Sequence, residues 1–167
     1  MHSRLATMFS KGFGAVGKGK GNKSRVTLVP PIPDPERVFF MPSEEEPHEG
    51  TWLQWPHDHA NGRHRQVQRY QESWIQMTLA LHSGERVHLI VYDEEQRAKV
   101  HALLLARDCN MSQIDFHCWP TNDVWIRDNG PIFCWDNHQK QSQQLHVTNW
   151  GFNGWGNKYP FDLDNDI

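Results

Sequence analysis

The sequence predicts an α/β fold. Three observations carry that reading. Short apolar runs rich in Val, Ile, Phe and Trp recur along the chain, helical apolar spacing lies between them, and turn residues close each join. The 167 residues suit about one domain, and 37% of them are apolar.

The elements follow in order. "GTWLQW" (50–55) reads as a short aromatic strand stopped by Pro56. In "RHRQVQRYQESWIQMTLALHSG" (63–84), Val67, Tyr70, Trp74, Met77 and Leu81 recur at three- and four-residue steps, predicting an amphipathic helix that ends at Gly84. "RVHLIVY" (86–92) reads as a buried strand. "DEEQRAKVHALLLAR" (93–107) begins with Asp93 and has Gln96 three positions on, a capping-box pattern, with Val100, Leu103 and Leu104 as the inner face. "IDFHCW" (114–119) is another strand. "PIFCW" (131–135) and "QQLHVTNW" (143–150) read as a hairpin joined by the polar "DNHQKQS". Helices crossing between strands give the α/β class. The terminal "WGFNGWGNKYPFDLDNDI" shows no closing helix or strand and ends on Ile167, as though the chain continued.

Residues 1–36 contrast with the rest. "KGFGAVGKGKGNKS" has little to bury and reads as a disordered basic tail, and "VPPIPDPE" as a stiff linker. Residues 37–167 form the predicted folded domain. The first 33 residues hold six basic groups and no acid, which leaves 11 basic against 20 acidic residues in the remainder. An acidic body disfavours nucleic acid as a partner and suits a cationic ligand. Three widely spaced cysteines without C-x-x-C favour a reducing compartment. No run approaches the roughly 20 apolar residues of a membrane span. These features point to a cytoplasmic protein, although the basic, acid-free start weakly resembles an organelle transit peptide.

Several stretches could carry chemistry. "NDVWIRDNGP" (122–131) sets Asp123, Trp125, Arg127 and Asp128 within six positions. If extended, Asp123, Trp125 and Arg127 share one face, and Val124, Ile126 and Asp128 the other. A carboxylate accepts paired N–H bonds from a planar cation, and an indole adds cation–π attraction. Two readings stand: a guanidinium receptor, or a loop with turn-capping Asp residues and a core Trp. Arg127 could also neutralise one acid internally. In "MPSEEEPHEGTWLQWP" (41–56) the acids could hold a second cationic group or form a solvated run. "HDHANGRH" offers His57, His59 and His64, but a zinc site needs three or four ligands, and scattered loop His is the plainer reading. "KGKGNKS" lacks P-loop spacing and a preceding strand. Cys118 and Cys134 lie in apolar strand patterns and read as buried, while Cys109 near a helix end reads as exposed.

Three blocks, "MPSEEEPHEGTWLQWP", "NDVWIRDNGPIF" and "FNGWGNKYPFDLDNDI", together resemble the agmatine deiminase family, which includes the Porphyromonas-type peptidyl-arginine deiminases. They occur in the family's order over about residues 38–167. The resemblance implies a pentein β/α propeller, of which this chain carries about two of five ββαβ-type units. It implies hydrolysis of a guanidino carbon by a Cys thiolate with a His moving protons, without metal or organic cofactor. Agmatine is the implied substrate, yielding N-carbamoylputrescine and ammonia for putrescine synthesis. Peptidyl-arginine is the alternative substrate, and a non-catalytic guanidinium-binding remnant is a further one.

By the same resemblance, Asp128 binds guanidinium nitrogens and Trp125 lines the substrate channel. Asp123 matches the acid of the N-D pair and is expected to bind substrate. Trp52, Glu44 and Glu46 match the first block, toward the substrate's far end. The family's catalytic His and nucleophilic Cys match no residue of this chain, so it is expected to be inactive alone. A homodimer is implied for a full-length enzyme.

Overall fold

Two three-stranded sheets organise the protein in a computed structural model that describes residues 39–57, 67–136 and 144–167. The basic tail and the Pro-rich linker lie outside the described residues, as do His59, His64 and most of "DNHQKQS".

The first sheet is parallel. Strand β2 (Gly50–Gln54) is followed by helix α1 (Val67–Leu81), then β3 (Arg86–Val91), helix α2 (Glu94–Leu105) and β4 (Ile114–Cys118). The strands lie in the order β2-β3-β4, with Trp52 opposite His88 and Leu89 opposite Phe116. A parallel pair needs a crossover, and a helix is the usual one. The core is Trp55, Ile75, Val87, Leu89, Val91, Val100, Leu104, Cys109 and Ile114. It packs odd-numbered β3 residues against α1 and α2. The even-numbered residues Trp52, Gln54, His88 and Ile90 lie on the other face, since strand side chains alternate.

The second sheet is antiparallel. Strand β1 (Phe39–Phe40) pairs with β5 (Ile132–Asp136), which pairs with β6 (Gln144–Thr148). The predicted hairpin is present, and the two-residue β1 is an addition. Short helix α3 (Ile126–Asn129) precedes β5, so the middle of "NDVWIRDNGP" coils instead of extending.

The α/β class and the five main predicted elements of the first sheet are therefore observed, but some faces differ. Helix α1 buries Val67, Ile75 and Thr78, whereas Tyr70 and Met77 are each 37% exposed. Of the expected stripe, Val67 is buried and Trp74 and Leu81 pack against the core, and Thr78 joins them with its hydroxyl donating to the Trp74 carbonyl at 2.8 Å. On α2, Val100 and Leu104 are buried and Leu103 is exposed. The capping box forms with a shift. Asp93 accepts from the Gln96 N–H at 2.8 Å, but the Gln96 side chain reaches back to the N–H of Tyr92, at 2.7 Å, instead of that of Asp93.

Cys109 and Cys118 reverse the expectation. Cys109 is buried in the core. Cys118 is exposed at the end of β4, where its thiol donates to Glu94 at 3.2 Å, and Cys134 is half-buried. Strand β4 carries Cys118 to the first turn of α2, beyond the cover of that helix's apolar face.

This packing predicts unequal costs along α2. Leu104→Ala should lose about 2–5 kcal/mol, a buried leucine's usual cost. Leu103→Ala should lose less than about 0.5 kcal/mol, as at an ordinary surface position. Urea unfolding of both variants checks the assignment of the inner face.

Candidate functional site

The three sequence blocks, far apart in the chain, meet through side-chain hydrogen bonds. The link begins at the end of β2. Gln54 is fully buried, and its amide donates to the Asp123 carbonyl at 3.0 Å and to Asp164 Oδ1 at 3.2 Å. The same Asp164 oxygen accepts the N–H of Asn122 at 2.8 Å and of Asp123 at 3.3 Å. Asn122 answers with its side-chain oxygen, which accepts from the N–H of Leu163 at 2.8 Å and of Asp164 at 3.3 Å. Asn122 and Asp164 thus cap each other's backbone and clip the C-terminal turn to the central loop.

Asp164 is only 1% exposed. Burial, reinforced by the negative charge of neighbouring Asp123, pushes its carboxyl above the ordinary range, against the opposing pull of the Asn122 and Asp123 N–H groups and the Gln54 amide. None of these polar ties was visible in the apolar pattern. The Asn and Asp side chains suit such local backbone bonds, but the 42-residue separation of the partners hides the pairing.

The functional candidates sit on this frame. Asp123 is buried, and its carboxylate accepts the N–H of Val124 at 3.0 Å, which folds the loop onto itself. Trp125 is 45% exposed just before α3. Asp128, on α3, is exposed, and one carboxylate oxygen accepts the indole N–H of Trp155 at 3.1 Å. Arg127 does not neutralise Asp128. It donates instead to Glu44 at 2.6 Å, an exposed pair that brings the first block to the loop. Such a pair contributes about 0–1 kcal/mol, so its value is positional.

The remaining candidates spread outward. Glu46 is exposed, and its carbonyl lies 2.8 Å from the His48 ring nitrogen. Trp52 stacks on His88 with ring centroids 4.4 Å apart and tilts over His117 at 4.6 Å. It lies two residues before Gln54 on the same strand face, roughly 7 Å along the sheet. His57 is buried, with Nε2 2.9 Å from the Thr121 hydroxyl. Among the described residues, no three His, Cys, Asp or Glu side chains gather as a metal site.

A feature outside the sequence candidates is the Gly154–Asn157 turn. Gly154, Trp155, Gly156 and Asn157 have φ of 58°, 54°, 80° and 62°. The turn is left-handed, and i to i−4 bonds close it, from Asn157 N–H to Asn153 at 2.7 Å and from Lys158 N–H to Gly154 at 3.0 Å. Glycine takes this conformation freely and asparagine tolerates it. Trp155 bears a steric cost of about 1–2 kcal/mol. The alternating Gly-Trp-Gly-Asn is the sequence signal for it.

Neither Cys109 nor Cys118 is an activated thiol. Burial raises the Cys109 thiol, and desolvation with the bond to Glu94 pushes Cys118 up to about 11.

An exposed carboxylate on a fixed helix, with exposed indoles nearby in sequence and by hydrogen bond, has the makings of a receptor for a planar cation. The chain belongs to the Porphyromonas-type peptidyl-arginine deiminase family, whose model matches residues 40–167. A Selenomonas ruminantium protein named "Putative agmatine deiminase" is 30% identical over 121 residues, covering 72% of this chain and 30% of that protein. A Legionella pneumophila (strain Paris) protein of the same name is 29% identical over 130 residues, covering 77% of this chain and 35% of its own length. In three dimensions the chain is similar to a C. jejuni agmatine deiminase solved with substrate bound. The TM-score is 0.65 at 23% identity, over 80% of this chain and 36% of that one, a likeness of fold. The chain spans about a third of the length of these relatives.

The Asn122–Asp164 clip predicts a graded response. Asp164→Ala strands buried N–H groups and should cost about 2–4 kcal/mol. Asp164→Asn keeps an accepting oxygen and should cost less than half as much. Because the folded carboxyl titrates above its unfolded value, its favourable contribution is complete below the unfolded pKa, about 4. That contribution is lost as pH rises through the folded value. The stability gap between wild type and Asp164→Asn should therefore narrow with rising pH, as measured by urea melts from acid to neutral pH.

Proposed function

We propose that this chain forms the guanidinium-gripping part of an agmatine deiminase-type hydrolase, with about two of the five propeller units. The observation that carries the reading is Asp128. The third block reaches it through the Trp155 indole, and Arg127, the nearest cation in sequence, is drawn away to Glu44 of the first block.

In this role Asp128 accepts N–H bonds from the guanidinium, and Trp125 forms a wall of the substrate channel. Asp123 holds the loop that carries both. Glu46 and Trp52 lie toward the far end of the substrate, and Glu44 keeps Arg127 out of the clamp. A guanidinium is resonance-stabilised and a poor electrophile. Fixing it against carboxylates orients its carbon and stabilises positive charge as a thiolate adds and ammonia leaves. No cofactor enters this chemistry. Cys109, buried in the core, and Cys118, whose proton is held against Glu94, do not supply the thiolate. The chain alone therefore binds agmatine and does not turn it over. The name "Putative agmatine deiminase" carried by similar proteins supports agmatine as the substrate in this reading.

Calorimetry with agmatine, paired with an assay for ureido product, tests this reading. Wild type should bind and form no product. Asp128→Asn should bind roughly 10- to 100-fold more weakly, the loss of a charge-assisted contact worth about 1.5–3 kcal/mol. Product formation by the wild-type chain would sink the claim of inactivity.

A further inference from the structure

We propose that Trp155 is a positioning residue, whose indole N–H fixes the rotation of the Asp128 carboxylate and leaves its second oxygen presented to the guanidinium. The proposal rests on the reading of Asp128 as the guanidinium acceptor.

Three independent features point to it. The indole Nε1 lies 3.1 Å from Asp128 Oδ1, across 27 residues of chain. The Trp155 backbone is held in the left-handed region, at φ 54° and ψ 48°, where a bulky residue is disfavoured. Such outliers persist only when the surroundings impose them, and they gather at functional sites. The surroundings here are specific. The indole sits edge-to-face against Phe152, with centroids 5.1 Å apart, and against Tyr159 at 5.9 Å. The Asn153 side chain accepts the Gly156 N–H at 2.9 Å and pins the turn from below. Phe152 is itself anchored, its N–H donating to the Asn165 side chain at 2.8 Å.

The geometry has a chemical use. A carboxylate has about four acceptor sites, and the indole takes one. Asp128 Oδ2 accepts no hydrogen bond from the described residues, so it and the remaining lone pair on Oδ1 can receive a guanidinium fork. An exposed Asp side chain otherwise rotates freely and loses that orientation when a ligand must be gripped. A packing role alone needs the ring but not its N–H, which separates the two accounts.

The test uses the 167-residue chain, with agmatine as ligand. Trp155→Phe keeps an aromatic ring between Phe152 and Tyr159 and removes the donor, at the cost of a smaller ring. It should bind agmatine at least tenfold more weakly, with a melting temperature close to wild type. Equal affinity of Trp155→Phe and wild type, in a background where Asp128→Asn binds tenfold more weakly, overturns the role of Trp155 and leaves the Asp128 reading intact. Equal affinity of Asp128→Asn and wild type defeats the Asp128 reading and takes this inference with it. The nuclear magnetic resonance signal of the Trp155 indole N–H in wild type gives a second readout that does not depend on any Trp155 variant folding. Slow exchange with solvent, lost in Asp128→Asn, supports the bond. Rapid exchange in wild type overturns it.

Discussion

One buried carboxylate oxygen, Oδ1 of Asp164, ties the candidate site together. It accepts hydrogen bonds from the Gln54 amide and from the backbone N–H groups of Asn122 and Asp123. Those donors belong to the end of β2 and to the central loop. Removing a carboxylate from water is costly, and several donors on one oxygen are what such a group needs to be retained. Any partner left bare inside the protein would cost more than the bond itself contributes. The geometry of the loop is therefore set from the protein interior, and Asp128 and Trp125 inherit a fixed position although both side chains face solvent.

The parallel sheet supplies the platform. Its core-facing residues lock β2 against α1 and α2, so Gln54 arrives at the loop from a rigid strand. Above that platform the site is polar and partly strained. The left-handed turn at Trp155 is carried by neighbouring glycines and by ring contacts with Phe152 and Tyr159. Stability invested in the β2-β3-β4 core sustains a local conformation that would not persist by itself. The charges are divided in the same way: Arg127 goes to Glu44, which leaves the Asp128 carboxylate to the indole on one side and to solvent on the other.

Apolar periodicity made the architecture legible. The Trp52, Leu89 and Phe116 runs announced the strands, and Asp93 with Gln96 announced the start of α2. Faces were less legible where a polar residue was satisfied internally. Thr78 entered the core by bonding to its own helix, while Tyr70 and Met77 stayed partly exposed. The cysteines misled because strand pattern says nothing about where the covering helix stops. Asp128 and Trp125 were legible as a motif, and the family resemblance gave them a direction. Gln54, Asn122 and Asp164 were not, since their partnerships span between 41 and 110 residues and leave no local pattern. Trp155 was quoted within a family block, yet its strained turn depends on backbone dihedrals, to which the Gly-Trp-Gly-Asn order only hints.

The central claim is that the converged blocks hold Asp128 as the acceptor of a guanidinium. A crystal structure of this chain grown with agmatine tests it most directly. The account predicts a guanidinium nitrogen about 2.8 Å from an Asp128 carboxylate oxygen, beside the Trp125 indole, with the Trp155 bond retained. Agmatine seated elsewhere, with Asp128 bare to solvent, would contradict it.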